Sequence, residues 1–106
     1  MTPVNSAFFF LFQVQCFPLQ AVLRALDNPK VDYFSLDIEG AEFPVLQSLD
    51  WSKVDISVIS IEVAHAGHIF DGTRLDIHRF LQNHQYVNVT TVGHDDIFMK
   101  KSMIKK

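Results

Sequence analysis

The stretch Val31-Asp32-Tyr33-Phe34-Ser35-Leu36-Asp37-Ile38-Glu39-Gly40-Ala41-Glu42 decides how this chain is read. An apolar run of strand character stops at three carboxylates set around a glycine, and a helical pattern follows. That order predicts a strand over residues 31–38 and places Asp37 at its C-terminal end. In open α/β sheets, ligands bind in the crevice outside those ends. Tyr33, Phe34, Leu36 and Ile38 are apolar on both faces of the run, as in a parallel strand covered on both sides.

Downstream, Phe43, Leu46 and Leu49 form the apolar ridge of a helix over residues 41–49. Pro44 falls in its first turn, where a missing N–H costs little, and Glu42 suits the positive end of the helix dipole. The β-branched run Ile56-Ser57-Val58-Ile59-Ser60-Ile61-Glu62-Val63 predicts a second strand, ending near Glu62 and His65. Asp71 or Thr73 can cap a third helix, with Ile77, Phe80, Leu81 and His84 at i, i+3, i+4 and i+7. Residues 86–92 and 96–99 read as two closing strands around the hairpin-like Gly93-His94-Asp95.

Upstream, Pro18 suits the first position of a short helix whose stripe is Leu19, Val22, Leu23 and Leu26. Asp27-Asn28-Pro29 ends it, because the residue before a proline is pushed out of the α region. The resulting pattern, α-β-α-β-α-β-β, predicts an α/β fold. Its sheet is expected to be mainly parallel with right-handed crossovers, the closing pair adding one antiparallel strand.

At 106 residues the chain is one domain or part of one. A composition 48% hydrophobic and 20% charged is that of a soluble globular protein. The formal net charge of −3 gives no electrostatic case for nucleic acid, whose phosphates require clustered Lys and Arg. Lys100, Lys101, Lys105 and Lys106 read as a solvated basic terminus. The single cysteine, Cys16, excludes an intramolecular disulfide and a cysteine-based zinc site. Residues 7–14 are the most apolar segment. They are too short to span a bilayer as a helix and lack a basic n-region, so a buried strand is expected, with a truncated targeting segment as the alternative.

Asp37-Ile38-Glu39-Gly40-Ala41-Glu42, then Val45-Leu46 and Ile61-Glu62-Val63, resemble the FkbM family of methyltransferase domains. Cys16-Phe17-Pro18-Leu19 and the run from Val31 resemble its animal, Star-like branch. The resemblance covers residues 13–98. It implies a Rossmann-like class I methyltransferase sheet, with the first strand here as the family's fourth and the closing pair as its sixth and seventh. It also implies S-adenosylmethionine as cofactor and an oxygen of a small-molecule or glycan acceptor. The family holds that cofactor mainly through a glycine-rich turn. Gly40, Gly67, Gly72 and Gly93 form no such Gly-x-Gly turn. The expectation is therefore the C-terminal part of the domain over residues 16–102, after an unassigned leader of 1–15 and before a basic tail of 103–106. Such a chain would bind S-adenosylmethionine weakly or not at all. A Star-like chain would instead be a non-catalytic module binding protein cargo in secretory-pathway trafficking; otherwise the compartment is cytoplasmic.

Asp37, Glu39 and Glu62 are the crevice candidates, with His65 as a candidate base. Asp37, Glu39 and Glu42 could hold a divalent cation, orient the cofactor's amino group or take a proton from a hydroxyl. Their plainer role is to accept N–H groups at the second helix's start. His65-Ala66-Gly67-His68 is not expected to bind zinc, because Gly67 opposes a helix aligning the imidazoles and a catalytic zinc takes three protein ligands. His78 and His84 read as helix-surface and core-edge residues. Asn88-Val89-Thr90 is a glycosylation sequon inside a predicted strand.

Overall fold

A computed structural model describes residues 15–68 and 72–104. The elements run α1 (Leu19–Ala25), β1 (Lys30–Leu36), α2 (Glu42–Ser48), β2 (Asp55–Glu62), α3 (Arg74–Asn83), β3 (Tyr86–Val92) and β4 (Asp95–Lys100). A 3-10 turn, Lys101–Met103, follows. The apolar segment 7–14, Asp71, Lys105 and Lys106 lie outside the described residues.

Among the described residues the sheet has four strands in the order β1-β2-β4-β3. β1 and β2 are parallel, with Val31 opposite Ile56 and Leu36 opposite Ile61. The other two ladders, β2 with β4 and β3 with β4, are antiparallel. The expectation of a mainly parallel sheet is thus corrected: only one of the ladders is parallel. The cause is the closing hairpin. Val92 and Asp95 pair across the two-residue turn Gly93-His94, and Gly93 has φ 61. A glycine with positive φ at the first central position makes the tight turn that sends a strand straight back. The returning strand β4, rather than β3, then takes the place beside β2, so it contributes to two ladders.

The register places Leu36, Ile59, Ile61 and Phe98 on one face of the sheet. Helices α2 and α3 cover that face. Phe43 meets Phe80 edge-on with ring centroids 5.7 Å apart, Trp51 contacts Phe80 and Tyr86, and the His78 ring lies 4.9 Å from Phe98. Leu46, Ile77 and Leu81 complete a buried core. Each such side chain stabilises by roughly 1.5–3 kcal/mol relative to exposure.

β2 is buried along nearly its whole length, whereas β1 is mostly exposed, Tyr33 by 59%. The two-sided cover expected for β1 is therefore corrected. It is the sheet's edge among the described strands, and Ile38 falls beyond it in the following turn. Pro18 stands one residue earlier than expected, as the residue preceding α1. α1 ends where Asp27 (φ 64) and Asn28 (φ 47) turn left-handed and their N–H groups bond back to Arg24 and Leu23. Asn and Asp are the side chains that tolerate that region best after glycine. No described helix is long and apolar enough to cross a membrane.

Candidate functional site

The register that pairs Leu36 with Ile61 brings the next residues, Asp37 and Glu62, level at the C-terminal ends of β1 and β2. Beyond β1 the chain turns at once. Ala41 N–H donates to the Ile38 carbonyl at 3.3 Å, and the central residues Glu39 (φ 58) and Gly40 (φ 101) are both left-handed. Gly40 accepts that conformation freely, while for Glu39 it is uncommon. The turn leaves Glu39 largely exposed and swings α2 back across the strand end.

Glu42, in the first turn of α2, is completely buried. Its Oε2 accepts the Ile38 N–H at 2.7 Å, closing the turn from beneath. Its Oε1 is buried and has no hydrogen-bond partner among the described residues. The Ile38 N–H belongs to the turn after β1 and not to the start of α2, which no side chain caps, so the plainer role expected for these acids at the helix start is corrected.

Glu62 closes β2 in the same manner. Its Oε1 accepts the Ala64 N–H, and its Oε2 lies 3.3 Å from His65 Nδ1. His65 Nδ1 also lies 3.5 Å from Glu39 Oε2. The bond to Glu62, then the Glu39 charge, push the His65 pKa above its ordinary value. One carboxylate oxygen each from Asp37, Glu42 and Glu62 lies within 4.8 Å of the others. All four residues singled out from the sequence, Asp37, Glu39, Glu62 and His65, therefore meet at one edge of the sheet. Glu42 joins them more intimately than its sequence suggests.

The turn after β2 brings the His65 and His68 rings to 6.3 Å, with Gly67 left-handed between them. Neither imidazole belongs to the carboxylate trio. Asn88 donates its side-chain amide to the carbonyls of Thr90 and Ile97, at the bulge where the β3–β4 register shifts. A groove of about 620 Å³ lined by Trp51, His84, Tyr86 and Lys100 lies at the opposite end of the sheet, away from all the candidates.

One polar constellation is not apparent in the sequence. Asp96 on β4 is fully buried, and both its oxygens are engaged. Arg74 donates from Nε at 2.7 Å and from a terminal nitrogen at 2.8 Å, His78 from Nε2 at 2.7 Å, and Thr91 from its hydroxyl at 2.7 Å. Burial raises the Asp96 pKa, but these bonds and the Arg74 charge outweigh it and hold the carboxyl at about 2. The i, i+4 spacing of Arg74 and His78 on α3 is the one signal that pointed to a shared acid. With every oxygen satisfied, this group ties α3 to the sheet.

The sequence model described as Methyltransferase FkbM domain matches residues 7–88, a span holding all five groups at the acidic edge. No curated protein and no solved structure matches the chain.

Proposed function

Because the chain belongs to the methyltransferase FkbM domain family, we propose that Asp37, Glu39, Glu62 and His65 form the acceptor side of a methyltransferase site. The observation that carries this reading is their convergence at the C-terminal ends of two adjacent parallel strands. Open α/β sheets hold their ligands at such ends. Carboxylates on His65 Nδ1 fix the tautomer and leave Nε2 as the ring's proton acceptor. In this reading His65 takes the proton of an acceptor hydroxyl, and Asp37 and Glu39 orient that acceptor, a small molecule or glycan.

The family's methyl donor is S-adenosylmethionine. Carboxylate oxygens at this edge suit its ammonium group, but its own carboxylate needs donors, which these acids do not supply. These acids thus do not by themselves make a complete cofactor site. We read residues 16–102 as the C-terminal portion of the domain, flanked by a leader (1–15) and a basic tail (103–106), because no Gly-x-Gly turn follows a strand. O-methyl transfer would then require the glycine-rich portion.

Two titrations test this. Isothermal titration of S-adenosylmethionine into the purified chain should give little or no heat. A micromolar Kd, about −8 kcal/mol, would overturn the C-terminal-portion reading. In amide NMR spectra, a simple sugar should shift residues 37–42 and 62–68. Shifts elsewhere, or none, would overturn the acceptor-site assignment.

The second reading is a Star-like, non-catalytic module that binds protein cargo in the secretory pathway. The clustered carboxylates of this edge, which suit basic groups of a protein partner, favour it. Cofactor titration does not separate it from the first reading, but sugar binding does.

A further inference from the structure

We propose that Asp37, Glu42 and Glu62 form a binding site for a hard divalent cation of the calcium or magnesium class. Three separate segments supply the ligands: the end of β1, the first turn of α2 and the end of β2. Their nearest carboxylate oxygens lie within 4.8 Å of one another. Two oxygens bound on opposite sides of a calcium ion are separated by about 4.6–5.2 Å, twice the usual Ca–O distance, so the trio has the span of such an ion's shell. Magnesium, with shorter bonds, would need the trio to close slightly.

The second observation is independent of that spacing. Glu42 Oε1 is buried without a hydrogen-bond partner among the described residues, while Oε2 of the same group is held by Ile38 N–H. Buried polar atoms are nearly always partnered, and an unpaired carboxylate oxygen is among the costliest to leave so. Among the described residues, no Lys or Arg lies at ion-pair distance from Asp37, Glu42 or Glu62, and the one basic group there is His65, against Glu62. Negative charges brought this close repel one another, and a cation among the carboxylates reverses the sign of that interaction. The Glu42 carboxylate that joins the trio is the same group that carries the unpartnered oxygen.

The donor chemistry selects the ion. Carboxylates alone, with no thiolate or imidazole, suit calcium, magnesium or manganese rather than zinc. Three protein ligands leave coordination positions for water or for an acceptor oxygen. This inference goes beyond the methyl-transfer reading and does not depend on it, since an ion can bind here whether or not any cofactor does.

The test uses the full chain with manganese(II) as a paramagnetic probe and calcium or magnesium as competitors. Substoichiometric manganese should broaden the amide signals of Asp37, Glu42 and Ala64 first, and calcium or magnesium should restore them. Asp37→Asn changes an exposed group and should leave the fold intact. It and the near-isosteric Glu42→Gln should each weaken binding at least about tenfold, because affinity follows ligand charge. Asp32→Asn, an exposed acid elsewhere on β1, should leave binding unchanged. Broadening spread over surface acids, binding unaltered in Asp37→Asn, or no effect up to millimolar ion would each overturn the proposal. Should Glu42→Gln fail to fold, Asp37→Asn and the wild-type broadening pattern decide it alone.

Discussion

The carbonyl oxygen of His65 stands 2.8 Å from the point where a Cβ on Gly40 would be. The acidic turn and the loop after β2 are therefore packed backbone against backbone, and this is what holds Glu39 and His65 within reach. Gly40 also has φ 101, a conformation that side chains rarely adopt. Gly40→Ala should destabilise the fold by about 1–3 kcal/mol, from strain and from the clash together. It should also part His65 from Glu39. Urea unfolding measures the first effect and NMR of the imidazole the second. A loss below about 0.5 kcal/mol, the range of neutral surface changes, would contradict this packing.

The buried Asp96 predicts how stability responds to acid. Its folded-state pKa, about 2, lies below the ordinary 3.8. Its stabilising contribution is therefore complete above about pH 4 and lost as the pH falls toward 2. The size is about 1–2 kcal/mol, reduced because its partner Arg74 is half exposed and screened. Unfolding followed from pH 5 to pH 2 should show this loss. Asp96→Asn should remove that part of the slope while lowering stability at neutral pH, since Arg74 then lacks its charge partner and an amide NH2 replaces one of the two acceptor oxygens. An unchanged slope would show that other carboxyls dominate.

A capping box starts α3. The Thr73 hydroxyl accepts the Asp76 N–H at 3.2 Å, and Asp76 returns a bond to the Thr73 N–H at 3.0 Å. Thr73→Ala should cost about 1 kcal/mol, and Thr73→Ser much less. Thermal unfolding of the pair distinguishes a capping role from mere crowding near Gly67, because serine keeps the hydroxyl and loses the methyl.

What the sequence made legible divides along physical lines. Helices and strands follow local periodicity, so the element order could be read, and the parallel pairing of β1 with β2 follows once two apolar runs flank one helix. The neighbour of β2 could not be read in that way. Residues 86–100 specify a hairpin, but which of its strands faces β2 depends on how α3 delivers the chain to the sheet. The exposure of β1 was hidden for a related reason, since Tyr33 and Phe34 look the same in a covered strand and at an edge. At the site, Asp37, Glu39, Glu62 and His65 could be chosen because strand ends announce themselves. Glu42 was undervalued because an acid in a first helical turn ordinarily points to water. Here the left-handed pair Glu39-Gly40 folds α2 back so tightly that the carboxylate goes inside.

Glu62 gives the last prediction, because it grips the loop that carries His65. Its Oε1 takes the Ala64 N–H, and its Oε2 faces His65 Nδ1. The loop is also tied by backbone bonds, from Val63 N–H to His94, Ala66 N–H to Val63 and His68 N–H to His65, and by the contact of His65 with Glu39. Glu62→Ala removes both side-chain contacts and leaves the Ala64 N–H without its acceptor. A hydrogen bond to a charged group contributes about 1.5–3 kcal/mol, so exchange at Ala64 should speed up by at least about tenfold. Glu62→Gln keeps a carbonyl acceptor for Ala64 but no charge for His65, and should fall between. The amides of Ile59 and Ile61, in the centre of β2, serve as the reference. If they accelerate as much as Ala64, the substitution has loosened the whole sheet and Glu62 is a core residue. If Ala64 and His65 alone accelerate, Glu62 is the post on which the histidine loop is hung.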